Sequence, residues 1–307
     1  YETAQKILPD KRIYKIPPKV FATYDVRAVF SDLEPLLHPS TAANKSYVRQ
    51  LPLKQQIKAH GKILAIALIP EEQHFFFTSR IYNDHNDVIY DEVSIKPRIC
   101  LEDIYDLCDM AFAIYPDIQI TGLSMPGIVD DGRITLLTQG FDESNVLESL
   151  SKKYSRKFVL SNDANCIAVG YYASQDEYKS LSFLFKPHIS SKGGVGSIHN
   201  GQLIEGYKHV AGEIQYMPMN IDDSHYPMWM TPEETLSWVA RISSSIISLL
   251  GPDLILLFCR LIAHTDDVIQ EIGKYIPARY LPEVVQIDSV KDYMLFGQMV
   301  LCTEELE

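Results

Sequence analysis

Apolar and polar positions follow two periods along this chain, and the change from one to the other marks its elements. Lys62–Ile69, Gln73–Asn83 and Val88–Ile95 read as three antiparallel strands, the first two joined by a tight turn near Pro70 and Glu71. The period then lengthens. Ile104, Leu107, Cys108, Ala111 and Ile114 recur at three- to four-residue spacing, predicting a helix over Leu101–Tyr115 that Pro116 ends. Ile118–Ser124 is the next strand, closed by Pro126-Gly127. A short helix over Asn145–Tyr154, with Ser144 as its N-cap, leads to the strand Lys157–Leu160 and a small-residue helix, Cys166–Tyr172.

The second half shows no obvious internal repeat of the first in sequence. Ser180–Lys186 and Val195–Glu205 predict strands, the latter turning at His199-Asn200-Gly201. Thr231-Pro232-Glu233-Glu234 is a capping box with proline at the first helical position. It opens the helix Glu233–Leu250, which Gly251-Pro252 stops. Leu236, Val239, Ile242, Ile246 and Leu249 are its expected core face, with Trp238 and Met230 as packing residues. Leu254–Phe258 and Val284–Ile287 read as strands, and Asp266–Tyr275 and Tyr293–Thr303 as helices.

Residues 1–55 stand apart. Lys11–Ile16 and Val20–Tyr24 read as two strands about Pro17-Pro18, and Arg27–Leu37 as a short helix. Nine basic and five acidic residues give this stretch a charge of +4, whereas the rest holds 19 basic and 35 acidic groups. An acidic body of that kind does not bind nucleic acid by itself. The composition, 46% hydrophobic and 22% charged, is that of a soluble globular chain, and 307 residues suffice for two lobes. No apolar run reaches membrane-spanning length; Val239–Leu250 is interrupted by Arg241 and serines. No signal peptide is visible, and the five widely spaced cysteines point to free thiols in a reducing cytoplasm.

Three blocks carry candidate chemistry. Gly193-Gly194-Val195-Gly196 follows an apolar run, and glycines there let backbone N–H groups approach an anion; an ordinary structural turn is the rival reading. Ser161-Asn162-Asp163-Ala164-Asn165 delivers a carboxylate from a strand end to a helix start, where α/β folds bind ligands and where Asp163 could equally be an N-cap. Ala211-Gly212-Glu213 offers a bidentate acceptor for sugar hydroxyls.

Taken with Met125-Pro126-Gly127-Ile128-Val129, these blocks resemble the ROK family of sugar kinases and sugar-responsive repressors, over roughly residues 62 to 300. The resemblance implies an α/β, actin-like ATPase (ribonuclease H-like) fold of two lobes with a sugar in the cleft. Its expected parts are a basic N-terminal extension (1–55), an N-terminal lobe (56–175) and a C-terminal lobe (176–307). The extension would be a remnant of a winged helix or a subunit-contact segment. The resemblance implies Asp163 as the general base of a kinase, with Asn162, Glu213, Gln215, Tyr216 and Gly127 around the sugar. Gly193, Gly194 and Gly196 would form the phosphate turn. It also implies a homodimer or tetramer.

The chain departs from the family pattern in three places. The family's Asp-x-Gly-Gly-Thr turn around the ATP phosphates is replaced: Ala67 stands for the aspartate, Ile69 and Pro70 for the glycines, and Glu71 for the threonine. Pro70 has no N–H to donate, and Glu71 and Glu72 repel phosphate. The glycine turn over the adenosine is replaced by Cys259-Arg260-Leu261, whose side chains would fill nucleotide space. Gln215-Tyr216 stand where the family has Gly-His, and Tyr216–Pro232 contains no cysteine. His225 is therefore expected at the surface, and no zinc or other metal is expected.

These departures favour a cytoplasmic, sugar-responsive transcriptional regulator without kinase activity and without a cofactor, binding a sugar or sugar phosphate. DNA would be reached only through a helix-turn-helix that is not evident in these residues. Two alternatives stay open: a diverged hexose or N-acetylhexosamine kinase using Mg-ATP, and a ligand-free pseudo-kinase scaffold.

Overall fold

Ile63–Ile69 are buried without interruption inside strand β2 (Lys62–Pro70), and such an unbroken apolar run belongs to a strand covered on both faces. The computed structural model describes residues 48–51, 57, 61–71, 73–130, 133–135, 145–188, 193–218 and 230–306. Ser46–Glu307 forms one compact unit. The strands and helix expected within residues 11–37, Ser144, Glu72 and His225 lie outside the described residues.

In chain order the strands are β1 (Val48–Gln50), β2, β3 (Phe75–Tyr82), β4 (Val88–Lys96), β5 (Ile118–Met125), β6 (Ile128–Asp130), β7 (Arg133–Thr135) and β8 (Lys157–Asn162). They continue as β9 (Leu181–Lys186), β10 (Gly194–His199), β11 (Gln202–Ile204), β12 (Leu254–Cys259) and β13 (Glu283–Gln286). The helices are α1 (Leu101–Ile114), α2 (Val146–Tyr154), α3 (Asp163–Ser174), α4 (Pro232–Leu250), α5 (Thr265–Ile272) and α6 (Lys291–Glu304).

Two sheets share one topology. The first runs β4-β3-β2-β5-β8 and the second β11-β10-β9-β12-β13, with β1 added beyond β11. In each, three antiparallel strands are followed by two parallel ones. This duplicated order is that of the actin-like ATPase fold. β6 and β7 form a separate ribbon. Helices α1 and α2 cover one face of the first sheet, around Ile104, Cys108 and Leu150, and α4 and α5 cover the outer face of the second, around Trp238 and Val268. Between the sheets, α3 and α6 cross in a single core that takes residues from both.

That crossing departs from a simple cut at residue 175. Helix α6 ends the chain yet packs on β2 and β5 of the first sheet. Residues 48–50, expected in the extension, pair with β11 of the second sheet, and Arg49 donates to Glu304 and to the Leu301 carbonyl. The helices cross so closely because Gly170 and Gly297 meet there. A Cβ at either position would sit 1.9 Å from a carbonyl oxygen of the other helix.

The capping box at Thr231 and Glu234 forms as its sequence predicts, and Gly251 closes α4 in the left-handed region, at φ 54°. Trp238 is buried, but Leu249 is 80% exposed and Ile114 56% exposed, so neither belongs to the core face its spacing suggested. Both sit in the last turn of a helix, where the partner surface has ended. Helix α2 is capped by Asn145, whose side chain accepts from the Glu148 N–H. All five cysteines are free thiols, and among the described residues no helix is long and apolar enough to cross a membrane.

Candidate functional site

Strand β8 ends at Asn162, at the carboxyl edge of the first sheet, and α3 begins at the next residue. Asn162, not Asp163, is the N-cap: its side-chain oxygen accepts from the Asn165 N–H at 3.1 Å. Its amide nitrogen donates to the Gly127 carbonyl at 3.0 Å. Gly127, at φ +110°, takes a backbone conformation that glycine adopts readily, so this bond ties the Pro-Gly turn to the head of α3. Asp163 is thereby released from capping.

Asp163 is 6% exposed, an unusual burial for a carboxylate. Burial pushes its pKa up to about 7, against the pull of the Ala164 N–H, and the nearby charge of Glu213 pushes in the same upward direction. Glu213 is likewise raised to about 7 by burial. Two buried carboxyl groups, one at the head of α3 and one on the turn beneath β10, are thus both raised toward neutral pH, and the charge of Glu213 adds to the rise at Asp163.

Glu213 is held by its turn. Gly212 lies at φ +87° beneath β10, where an added Cβ would meet the Val195 carbonyl oxygen at 1.8 Å. The Val195 N–H donates to the Gly212 carbonyl at 2.9 Å. Gln215 donates to Glu213 at 3.1 Å, so these two expected sugar residues are brought together. Tyr216 is 66% exposed and turned to the surface. The turn Tyr207–His209 leans on β6, bringing the second lobe against the ribbon that follows Gly127.

The glycine block divides its work. Gly193 takes φ +75°, whereas Gly194 and Gly196 lie within β10. Gly196 allows close packing: a Cβ there would come 2.3 Å from the Ala164 carbonyl oxygen, at the first turn of α3. The segment therefore supports the helix that carries Asp163.

Two basic residues at strand ends of the second sheet have partners that the sequence does not announce. Arg260, just past β12, makes a bidentate pair with Glu71 at the β2–β3 turn, at 2.5 and 2.7 Å. Lys186, at the end of β9, is buried over the Trp238 ring at 5.3 Å, and burial lowers its pKa. A lone basic residue after an apolar strand was the available signal for each. Among the described residues no group of three or more His, Cys, Asp or Glu is placed to hold a metal. A cavity of about 510 Å³ opens beside α5, lined in part by His264, Asp266, Gln286 and Asp288.

The raised carboxyl pair makes a stability prediction. A group that binds its proton more tightly when folded stabilises the fold at low pH, and that stability is lost as pH rises from the ordinary carboxylate range through about 7. The melting temperature should therefore fall between pH 5 and pH 8, and Asp163→Asn should flatten that fall. An unchanged slope in the variant would mean that Asp163 is ionised without cost.

The ROK-family sequence model matches residues 94–235. The N-acetyl-D-glucosamine kinase of Vibrio cholerae serotype O1 is 32% identical over 104 residues, covering 33% of this chain and 34% of the relative. That of Haemophilus influenzae is 25% identical over 150 residues, covering 46% and 48%. The chain thus matches between a third and a half of these relatives' lengths. Among solved structures, the ROK hexokinase of Thermus thermophilus aligns with a TM-score of 0.61 at 15% identity, over 80% of this chain and 99% of that one. A ROK glucokinase from Streptomyces griseus, solved with glucose and AMPPNP, aligns at 0.59 and 15%, over 78% and 99%. A ROK transcriptional regulator aligns at 0.57 and 11%, over 78% and 77%. At such identities the structures establish the fold alone. The expectation of a non-catalytic transcriptional regulator is overturned: the sequence relatives are N-acetylglucosamine kinases, and the structural neighbours are mostly sugar kinases. The departures at Ala67–Glu71, Cys259-Arg260-Leu261 and Gln215-Tyr216 do not by themselves separate a regulator from a kinase. Residues 94–235 thus match the ROK-family model, within a chain whose fold is that of ROK-family proteins.

Proposed function

We propose that this chain is an ATP-dependent sugar kinase acting on an N-acetylhexosamine. The observation that carries the reading is Asp163: a buried carboxyl at the head of α3, at the carboxyl edge of a parallel strand pair, poised near pH 7 beside Glu213. A general base works best when its pKa lies near the working pH. The sequence relatives that are N-acetyl-D-glucosamine kinases support the substrate class.

In this reading Glu213, fixed by Gln215, and Asn162, fixed by Gly127, hold the sugar hydroxyls. Asp163 accepts the proton of the hydroxyl that attacks. Mg-ATP supplies the phosphoryl group. The β2–β3 turn does not fit the phosphates of that donor as it stands. Pro70 has no N–H, the Glu71 N–H is used by the His74 carbonyl at 2.9 Å, and the Glu71 carboxylate is engaged by Arg260. Positioning of the donor therefore falls to the second lobe.

The test is sugar-dependent ADP release with Mg-ATP across N-acetylglucosamine, N-acetylmannosamine, glucose and mannose, from pH 5 to pH 9. Turnover is expected with an N-acetylhexosamine, rising with pH about a midpoint near 7 as Asp163 ionises. No turnover of any sugar at any pH would sink the reading.

A further inference from the structure

The Glu71–Arg260 pair joins residues 189 positions apart and ties the β2–β3 turn of the first lobe to the end of β12 in the second. We propose that Arg260 is the residue that binds the polyphosphate chain of the donor, with Glu71 as an intramolecular stand-in for that anion; this rests on the kinase reading above.

Four observations support the assignment. The guanidinium lies past the carboxyl end of β12, which runs parallel to β9 and β13, and open α/β sheets bind ligands outside such ends. Its contact with Glu71 is a two-pronged fork, the geometry in which arginine takes carboxylate and phosphate alike. The two partners differ in access: the Glu71 side chain is 9% exposed, whereas that of Arg260 is 55% exposed and open to an incoming anion. Finally, Arg260 lies 5.7 Å from the Phe258 ring, and Phe258, Phe185 and Ile69 belong to one buried cluster drawn from both lobes. The pair thus lies beside a core shared by both sheets, and an anion that takes Arg260 unties the β2–β3 turn from the end of β12.

The pair is open to water on the Arg260 side alone, and from that side a multiply charged chain can compete with the single carboxylate. Glu71 then acts as a competitor. Removing its charge frees Arg260, and removing Arg260 abolishes the grip.

Binding of ATP, and separately of inorganic tripolyphosphate, is measured by titration calorimetry on the full chain and on Glu71→Gln, Arg260→Gln and Arg260→Lys. The expected order for both ligands is Glu71→Gln about tenfold tighter than wild type, and Arg260→Gln at least tenfold weaker. Arg260→Lys should fall between wild type and Arg260→Gln, because it keeps the charge and loses the fork. Melting curves of each variant establish that it is folded. Equal affinity in wild type and Arg260→Gln, no gain in Glu71→Gln, or no binding by any of the four overturns the proposal. Sugar phosphorylation is followed in parallel. An active kinase indifferent to both substitutions removes this proposal and keeps the kinase reading; the affinity order without turnover does the reverse.

Discussion

Asp163→Asn should lower sugar-dependent ADP release by about 10²–10⁴-fold, the range that a positioned general base contributes. The substitution keeps the size of the side chain and an oxygen that can accept from the Ala164 N–H, now at 2.8 Å. It removes only the capacity to take a proton. On the proposed kinase reading the loss should therefore fall on kcat, with the sugar KM changed little, because Asn162 and Glu213 would still hold the ring. Stability should move the other way above pH 7, since a buried ionised group is gone, and a higher melting temperature at pH 8 separates a lost base from a damaged fold. Glu213→Gln gives the contrast. It leaves the base in place and weakens the hold on the sugar, so its loss should appear mainly in KM. An Asp163→Asn enzyme retaining a tenth or more of wild-type turnover would exclude Asp163 as the base.

The local signals for the frame of this site stand in the sequence. Apolar runs such as Ile63–Ile69, Leu181–Phe185 and Leu254–Phe258 mark the inner strands of the two sheets, and the capping box at Thr231 marks the start of α4. Asp163 stood out as a carboxylate delivered from a strand end to a helix start, with an N-cap as its rival reading, and Glu213 as a bidentate acceptor in the Ala211-Gly212-Glu213 step. The burial that shifts both was not legible, because it comes from α3, β10 and the Gly212 turn packing together over long sequence separations. Nor was the partner of Arg260. Its sequence position suggested a side chain filling nucleotide space, but only the approach of the two lobes reveals that it reaches Glu71. The helix ends show the same limit. The spacing of Leu249 continues a core face past the point where there is a core to meet.

The packing that positions Asp163 can be tested far from it. Gly297→Ala should lower the melting temperature by roughly 6–12 °C, which corresponds to a cost of about 3 kcal/mol in a unit of this size. The sign is what makes this informative. In a solvated helix, glycine to alanine stabilises by about 1 kcal/mol through propensity alone. Inside α6 the new methyl group would lie 1.9 Å from the Cys166 carbonyl oxygen, and backbone cannot rotate away as a side chain can. Helices α3 and α6 must separate or slide to admit it. Gly170→Ala presses on the same crossing, at 1.9 Å from the Tyr293 carbonyl, so the two changes together should cost less than their sum. Because α3 carries Asp163 at its first turn, a shift of the helix also moves the carboxylate relative to Glu213. Surviving folded enzyme should then show reduced kcat, although Gly297 lies in a different helix from the carboxylate. A melting temperature equal to or above that of the wild type would mean that α3 and α6 do not cross at these glycines, and that something else holds Asp163 at the edge of the sheet.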